Sequence, residues 1–254
     1  DFALKQAQSA LPENAHLQWK SVSGQIANGL QFERLAYSDA TQRFEAGQAS
    51  INIKLLPLLF RNVQSESITA KHVRLYLAKD ETPFEFPRWP ESLPLLDVPV
   101  SVAVKNMQLE DIRFFKGGHL VYALNTLDGE IQLKPGSLRL DQINAQSVDG
   151  TIRLSGYYQP NYQYATKLAG DVTLKTGASK TPQTLQFKAD GNAKRFLLDV
   201  EGAMPEPVRI RWQLQDQDQK PFWYLSASTE RFDPRLLGFA DEHAYRVQLA
   251  ASGN

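Results

Sequence analysis

The chain has 254 residues, 42% of them apolar and 22% charged, a balance that excludes wholesale disorder and suits one large β unit or two modest ones. Its 28 Lys plus Arg are matched by 28 Asp plus Glu, so it lacks the basic excess with which a nucleic-acid binder displaces counterions, and bulk charge cannot hold it to an acidic membrane face. With no cysteine, and four histidines (His16, His72, His119, His243) far apart in sequence, a disulfide framework, a cysteine nucleophile and the usual metal-ligand spacings are excluded; no cofactor and no metal are expected.

In chain order, Ala3–Leu11 has apolar residues three and four apart and stops at Pro12, which predicts a short helix. His16–Lys20, Leu30–Tyr37 and Ala49–Lys54 alternate between Gly, Ser, Asn and Asp and predict strands. Leu55–Phe60 predicts a helical turn with Pro57 in its first turn. It is also the longest strongly apolar run, far short of the roughly 20 residues a membrane helix needs. The first residue is Asp and no signal peptide is visible, so the chain is expected to be a piece of a longer protein whose anchor is elsewhere.

Val63–Leu77 reads as a further strand. Asp80–Pro99 carries five prolines (Pro83, Pro87, Pro90, Pro94, Pro99), each without a ladder donor, and predicts an extended linker. Beyond it, Val100, Val102 and Val104 alternate with Ser101, Ala103 and Lys105, and Gly117-Gly118 predicts a tight hairpin between Ile112–Phe115 and Leu120–Leu124. The expected organisation is therefore a β region with a short helix at 1–79, a Pro-rich linker at 80–99 and a repetitive β region at 100–254.

An internal repeat is the most informative feature. Gly-x-[Ile/Val]-x-Leu recurs at Gly129–Leu133, Gly150–Leu154 and Gly170–Leu174, with glycines 21 and 20 residues apart (150 − 129, 170 − 150). Each copy tolerates a bend at its glycine and puts two aliphatic residues on one face. Stacked copies predict an all-β fold: an elongated antiparallel sheet with one continuous apolar face, which must fold onto itself, pair with another sheet or stay open as a greasy channel.

Four passages, in order, resemble the TamB-type proteins of Gram-negative bacteria (translocation and assembly module), relatives of the AsmA-like bridge proteins. They are Phe2–Pro12; Val22-Ser-Gly24 followed by Leu30-x-Phe32-x-x-Leu35-x-Tyr37; Ile53-Lys-Leu55-Leu-Pro-Leu-Leu59 leading to Ile68 and Val73-Arg-Leu75; and Leu93-Pro-Leu95 leading to Pro99–Leu109. The succession is similar to that family's region just beyond its inner-membrane anchor. The resemblance covers about residues 1–200 and matches the last fifty less well.

The resemblance implies a β-taco-like trough with one or two short helices near the N-terminus, in the periplasm and anchored in the inner membrane by a helix outside this chain. It implies passage of phospholipid acyl chains between membranes, an Omp85-class (TamA-like) partner in the outer membrane, and a link to outer-membrane protein assembly. The groove lining it suggests is Val102, Val104, Ile131, Leu133, Leu138, Leu140, Ile152, Leu154, Val172, Leu174, Leu185 and Phe187. The plain alternative for these aliphatics is a dry sandwich core.

No motif nominates an enzyme: there is no nucleophile elbow and no phosphate loop. Glu110-Asp111 and Asp241-Glu242 are adjacent acids expected on opposite faces of a strand, and His119 reads as a hairpin-tip residue. Phe84-Glu-Phe86-Pro-Arg-Trp89-Pro90 and Tyr157, Tyr158, Tyr162 and Tyr164 support the alternative of a glycan- or protein-binding β-sandwich module, or simply fill linker and strand.

Overall fold

The computed structural model of the chain describes residues 8, 14–25, 29–54, 62–78, 93–96, 98, 101–175, 182–204, 207–217, 220–232, 243 and 245–253. Among these the fold is all-β, one sheet of fourteen strands whose order follows the sequence from the first to the last. The helix expected at Ala3–Leu11 lies outside the described residues except for Gln8, which is helical; the turn expected at Leu55–Phe60 and most of the Pro-rich stretch also lie outside them. Contacts divide the chain into two compact units, 1–85 with 102–130, and 86–101 with 131–254.

The first unit holds β1 (His16–Gln25), β2 (Gly29–Ser38), β3 (Gln42–Lys54), β4 (Asn62–Leu77), nearly all of β5 (Ser101–Lys116) and the larger part of β6 (His119–Lys134). β1 to β4 pair antiparallel in succession. Gly117 and Gly118 form the expected two-residue turn, with φ of 56° and 83°; only glycine holds two successive positive φ values cheaply, and this turn matches the twist of the strands it joins.

Half-way along each of these strands the apolar alternation jumps by three positions instead of two. Trp19 is followed by Val22, Phe32 by Leu35, Ala46 by Ala49, Ala70 by Val73, Leu109 by Ile112 and Leu124 by Leu127, and all twelve belong to one hydrophobic cluster. At Lys20-Ser21, Lys71-His72 and Glu110-Asp111 the two residues between the apolar positions both turn outward, whereas on β6 the Thr126 hydroxyl is buried. The extra residue is accommodated by a left-handed backbone at Ser21 (φ 51°), Gln48 (46°), His72 (54°) and Asp111 (49°). A left-handed residue bends its strand, and because β1, β2 and β3 keep one register through these positions the bends line up into a crease.

The inside of a crease has little room. Ala46, Ala49 and Ala70 occupy it at 2%, 3% and 4% exposure.

Asp111 therefore does not behave as adjacency in a strand predicts. It and Glu110 lie on the same outer side, because the positive φ at Asp111 breaks the alternation. Both are ion-paired: Lys71 Nζ is 3.0 Å from Glu110, while Asp111 accepts from Arg74 Nη2 at 2.7 Å, from Arg113 Nε at 3.2 Å and meets His72 Nδ1 at 2.8 Å.

The second unit continues from the end of β6 through β7 (Ser137–Gln146), β8 (Gly150–Gln159), a 3-10 turn at Pro160–Tyr162, β9 (Ala165–Leu174), β10 (Gln183–Gly191), β11 (Arg195–Met204), β12 (Val208–Gln217), β13 (Lys220–Phe232) and β14 (Tyr245–Gly253). From β7 onward each strand pairs antiparallel with the next. β7 carries the same left-handed bend, at Gln142 (φ 50°), so its inward residues run Leu138, Leu140, then Ile143, Ala145.

The copies beginning at Gly129 and Gly150 stand on β6 and β8, two strands apart in the order of the sheet. The copies beginning at Gly150 and Gly170 lie on adjacent strands running in opposite directions: Gly150 faces Leu174, Ile152 faces Val172 and Leu154 faces Gly170. A spacing of 20 residues is what a ten-residue hairpin needs to bring the motif back onto itself reversed.

Candidate functional site: an apolar wall

Residues directly opposite one another in an antiparallel ladder share a face, so the register of β7 to β14 fixes which side chains stand together. Four rungs result. The first runs Ala145, Ile152, Val172, Leu185, Gly202, Val208, Thr229, Val247; the second Ile143, Leu154, Gly170, Phe187, Val200, Ile210, Ala227, Leu249. The third runs Leu140, Gly156, Leu168, Ala189, Leu198, Trp212, Leu225, Ala251; the fourth Leu138, Tyr158, Thr166, Gly191, Phe196, Leu214, Trp223, Gly253. No charged residue interrupts any of them.

Gly170, between Leu154 and Phe187, is obligatory. A Cβ there would stand 1.9 Å from the Arg153 carbonyl oxygen on the next strand, so the close approach of the two backbones leaves no room for a side chain.

The opposite face is polar and self-neutralising. Arg153 stands across from Asp171; Arg211 Nε donates to Asp199 at 2.6 Å, and Arg209 Nε lies 3.3 Å from Glu201. A cavity of about 660 Å³ opens near these residues, lined in part by Gln186, Glu201, Arg209 and Glu230. Its two carboxylates are each matched with an arginine, Glu201 with Arg209 and Glu230 with Arg246 at 3.4 Å. That is a solvated ion-pair surface rather than an acid–base pair poised for chemistry. Among the described residues no group of three or more His, Asp or Glu could hold a metal ion.

Burial is uneven along the wall. Ile143, Ala145 and Ala189 at 7% and Leu214 at 4% are buried, but Ile152, Leu154, Leu168, Val172, Leu185, Phe187, Leu198, Val200, Ile210 and Trp212 are only half-buried, and Leu249 is 51% exposed. No described large side chain falls below 2% exposure.

Of the residues nominated from sequence, Ile152, Val172 and Leu185 share one rung, Leu154 and Phe187 another, and Leu140 and Leu138 begin the third and fourth. Leu174 lies at the rim opposite Gly150, 38% exposed. Ile131 and Leu133 are half-buried on β6 in the second unit, whereas Val102 and Val104 belong to the first, Val104 buried at 3%. Sequence reasoning missed half the wall, from Leu198 to Leu249. The signal was present in Phe196-x-Leu198-x-Val200 and Ile210-x-Trp212-x-Leu214, which alternate as cleanly as the nominated strands.

The tyrosines do not form a stripe. Tyr158 stands on the wall side, Tyr157 faces Arg139 and Lys167 on the polar side, and Tyr162 is 69% exposed in the 3-10 turn. Trp89 and its aromatic neighbours lie outside the described residues.

An open antiparallel ladder with a long one-sided apolar wall and a charge-balanced back defines a β-scaffold that presents hydrocarbon-compatible surface. Its family is shown by sequence: the model for the TamB N-terminal domain matches residues 1–148, more than half of the chain, and the chain belongs to the TamB family. Searches of curated proteins and of solved structures found no match to it.

Proposed function

We propose that this chain is a periplasmic segment of an inner-membrane-anchored bridge that shields phospholipid acyl chains on their way between the inner and outer membranes, working with an Omp85-class, TamA-like partner and without catalysis. Membership of the TamB family supports the envelope setting. The observation that carries the reading is the wall itself: four rungs, uncharged across β7 to β14 and half-open. Each methylene laid against such a surface gains about 0.8 kcal/mol, so an acyl chain is held by contact area along the wall and can slide from rung to rung. No side chain has to bond the lipid.

Placing a carboxylate on the wall costs several kcal/mol against hydrocarbon. Ile152→Asp is therefore expected to abolish photo-crosslinking to phospholipid and transfer between membranes, while Thr151→Asp, one residue away on the polar face, leaves both intact. Normal lipid crosslinking and normal complementation by a folded Ile152→Asp protein would sink the reading.

A further inference from the structure

Residues Leu93–Leu96 belong to no strand, yet they are tied twice to the second unit. Tyr158 Oη donates to the Pro94 carbonyl oxygen at 2.7 Å, and the Gly136 amide donates to the Leu96 carbonyl at 3.1 Å. Tyr158 stands on the fourth rung, opposite Leu138, so its hydroxyl reaches Pro94 only if this segment passes on the wall side of β8. Gly136 in turn packs against the β8–β9 loop, where a Cβ would meet the Asn161 side chain. The segment thus crosses one end of the wall, beside the Pro135-Gly136 turn and the 160–162 turn.

Three features suit it to be moved. Pro94 has no amide to give a neighbouring strand, so the segment cannot be absorbed into the sheet. Leu96 is held at φ 55°, a backbone an aliphatic residue adopts only under constraint from its surroundings. Leu93, Leu96 and Val98 are half-buried and Leu95 is 63% exposed, so the segment presents hydrocarbon on its own account.

We propose that Leu93–Leu96 is a displaceable strap that closes the Leu138–Tyr158 end of the apolar wall, its half-buried Leu93 and Leu96 standing in for acyl chain until lipid arrives. The inference rests on the acyl-chain reading above. The Tyr158 hydroxyl is its latch: burial, with a contribution from Tyr164, pushes that phenol above its ordinary value of 10.0, so it remains a protonated donor at neutral pH.

Tyr158→Phe keeps the ring and removes the latch; Tyr157→Phe, on the polar face, is the control. Hydrogen–deuterium exchange should show the Gly136 amide exchanging about fivefold faster in Tyr158→Phe, the worth of one hydrogen bond to a carbonyl, and unchanged in Tyr157→Phe. Uptake of a fluorescent long-chain phospholipid from vesicles, followed by stopped flow, should accelerate by a similar factor in Tyr158→Phe only. Unchanged Gly136 exchange overturns the strap. Faster exchange with unchanged uptake, in a native chain that does take up lipid, overturns its role as a gate. No uptake by the native chain overturns the acyl-chain reading and the gate with it, a result distinct from either.

Discussion

At the scale of single residues, volume decides more than polarity. Ala49 sits opposite Phe32 at the inside of the crease and is 3% exposed, with Ala46 and Ala70 in the same cluster. A larger side chain there has little room, because Ala49 and its neighbours Phe32, Ala46 and Ala70 are already almost wholly buried. Ala49→Leu should therefore destabilise the chain by about 1–3 kcal/mol, the usual penalty for overpacking, read as a lower urea midpoint with an unchanged slope. Leu154→Met, on the half-open wall, keeps its volume and should cost less than about 1.5 kcal/mol. Equal midpoints for Ala49→Leu and the native chain would show that the crease is roomier than its burial indicates.

At the scale of elements, the outward positions along the crease carry ion pairs. Asp111 is kept well below the usual aspartate range by the Arg74 guanidinium first, then by His72, with Arg113 adding to the field. Asp39, in the β2–β3 turn, is lowered by the Thr41 amide and hydroxyl, Tyr37 and Gln42. Each carboxylate binds its proton more weakly folded than unfolded. Their contribution is therefore complete above the ordinary aspartate value of 3.8 and is lost as pH falls through and below it. Asp111→Asn should lower the urea midpoint at neutral pH and flatten its fall towards about pH 3; a slope against pH identical to the native one would remove Asp111 from the account.

The same elements show what can be read from sequence. The strand at Leu30–Tyr37 and the turn at Gly117-Gly118 are local, and both were legible. The creases were not: a left-handed backbone at Gln48 or His72 has no signature in those residue types, since neighbouring strands in register impose it. Only the spacing of three between apolar positions, as from Ala70 to Val73, betrays it. For the same reason Glu110 and Asp111 were expected on opposite faces and stand on one. The repeat was legible, but its layout was not, because spacing alone does not separate a copy two strands on, as from Gly129 to Gly150, from a copy reversed by a hairpin, as from Gly150 to Gly170.

For the second unit taken whole, the wall is a property of the ladder and of no residue in particular. Each rung crosses up to eight strands, with the small residues Gly156, Gly170 and Ala189 among its members. A lipid that slides along such a surface meets every rung in turn, so a single charge anywhere obstructs the whole path, while loss of a few methylenes from one rung is averaged over the rest. Leu198→Asp and Ile210→Asp, on strands remote in sequence from Ile152, should thus impair lipid transfer as severely as Ile152→Asp. Leu198→Met and Ile210→Val should leave transfer within about twofold of native, a change below 0.5 kcal/mol. Native mass spectrometry for bound phospholipid, alongside transfer between vesicles, reads both. If the aspartates differ widely, with one rung essential and the others indifferent, then lipid occupies a discrete pocket, and the continuous-wall account fails even though lipid binds.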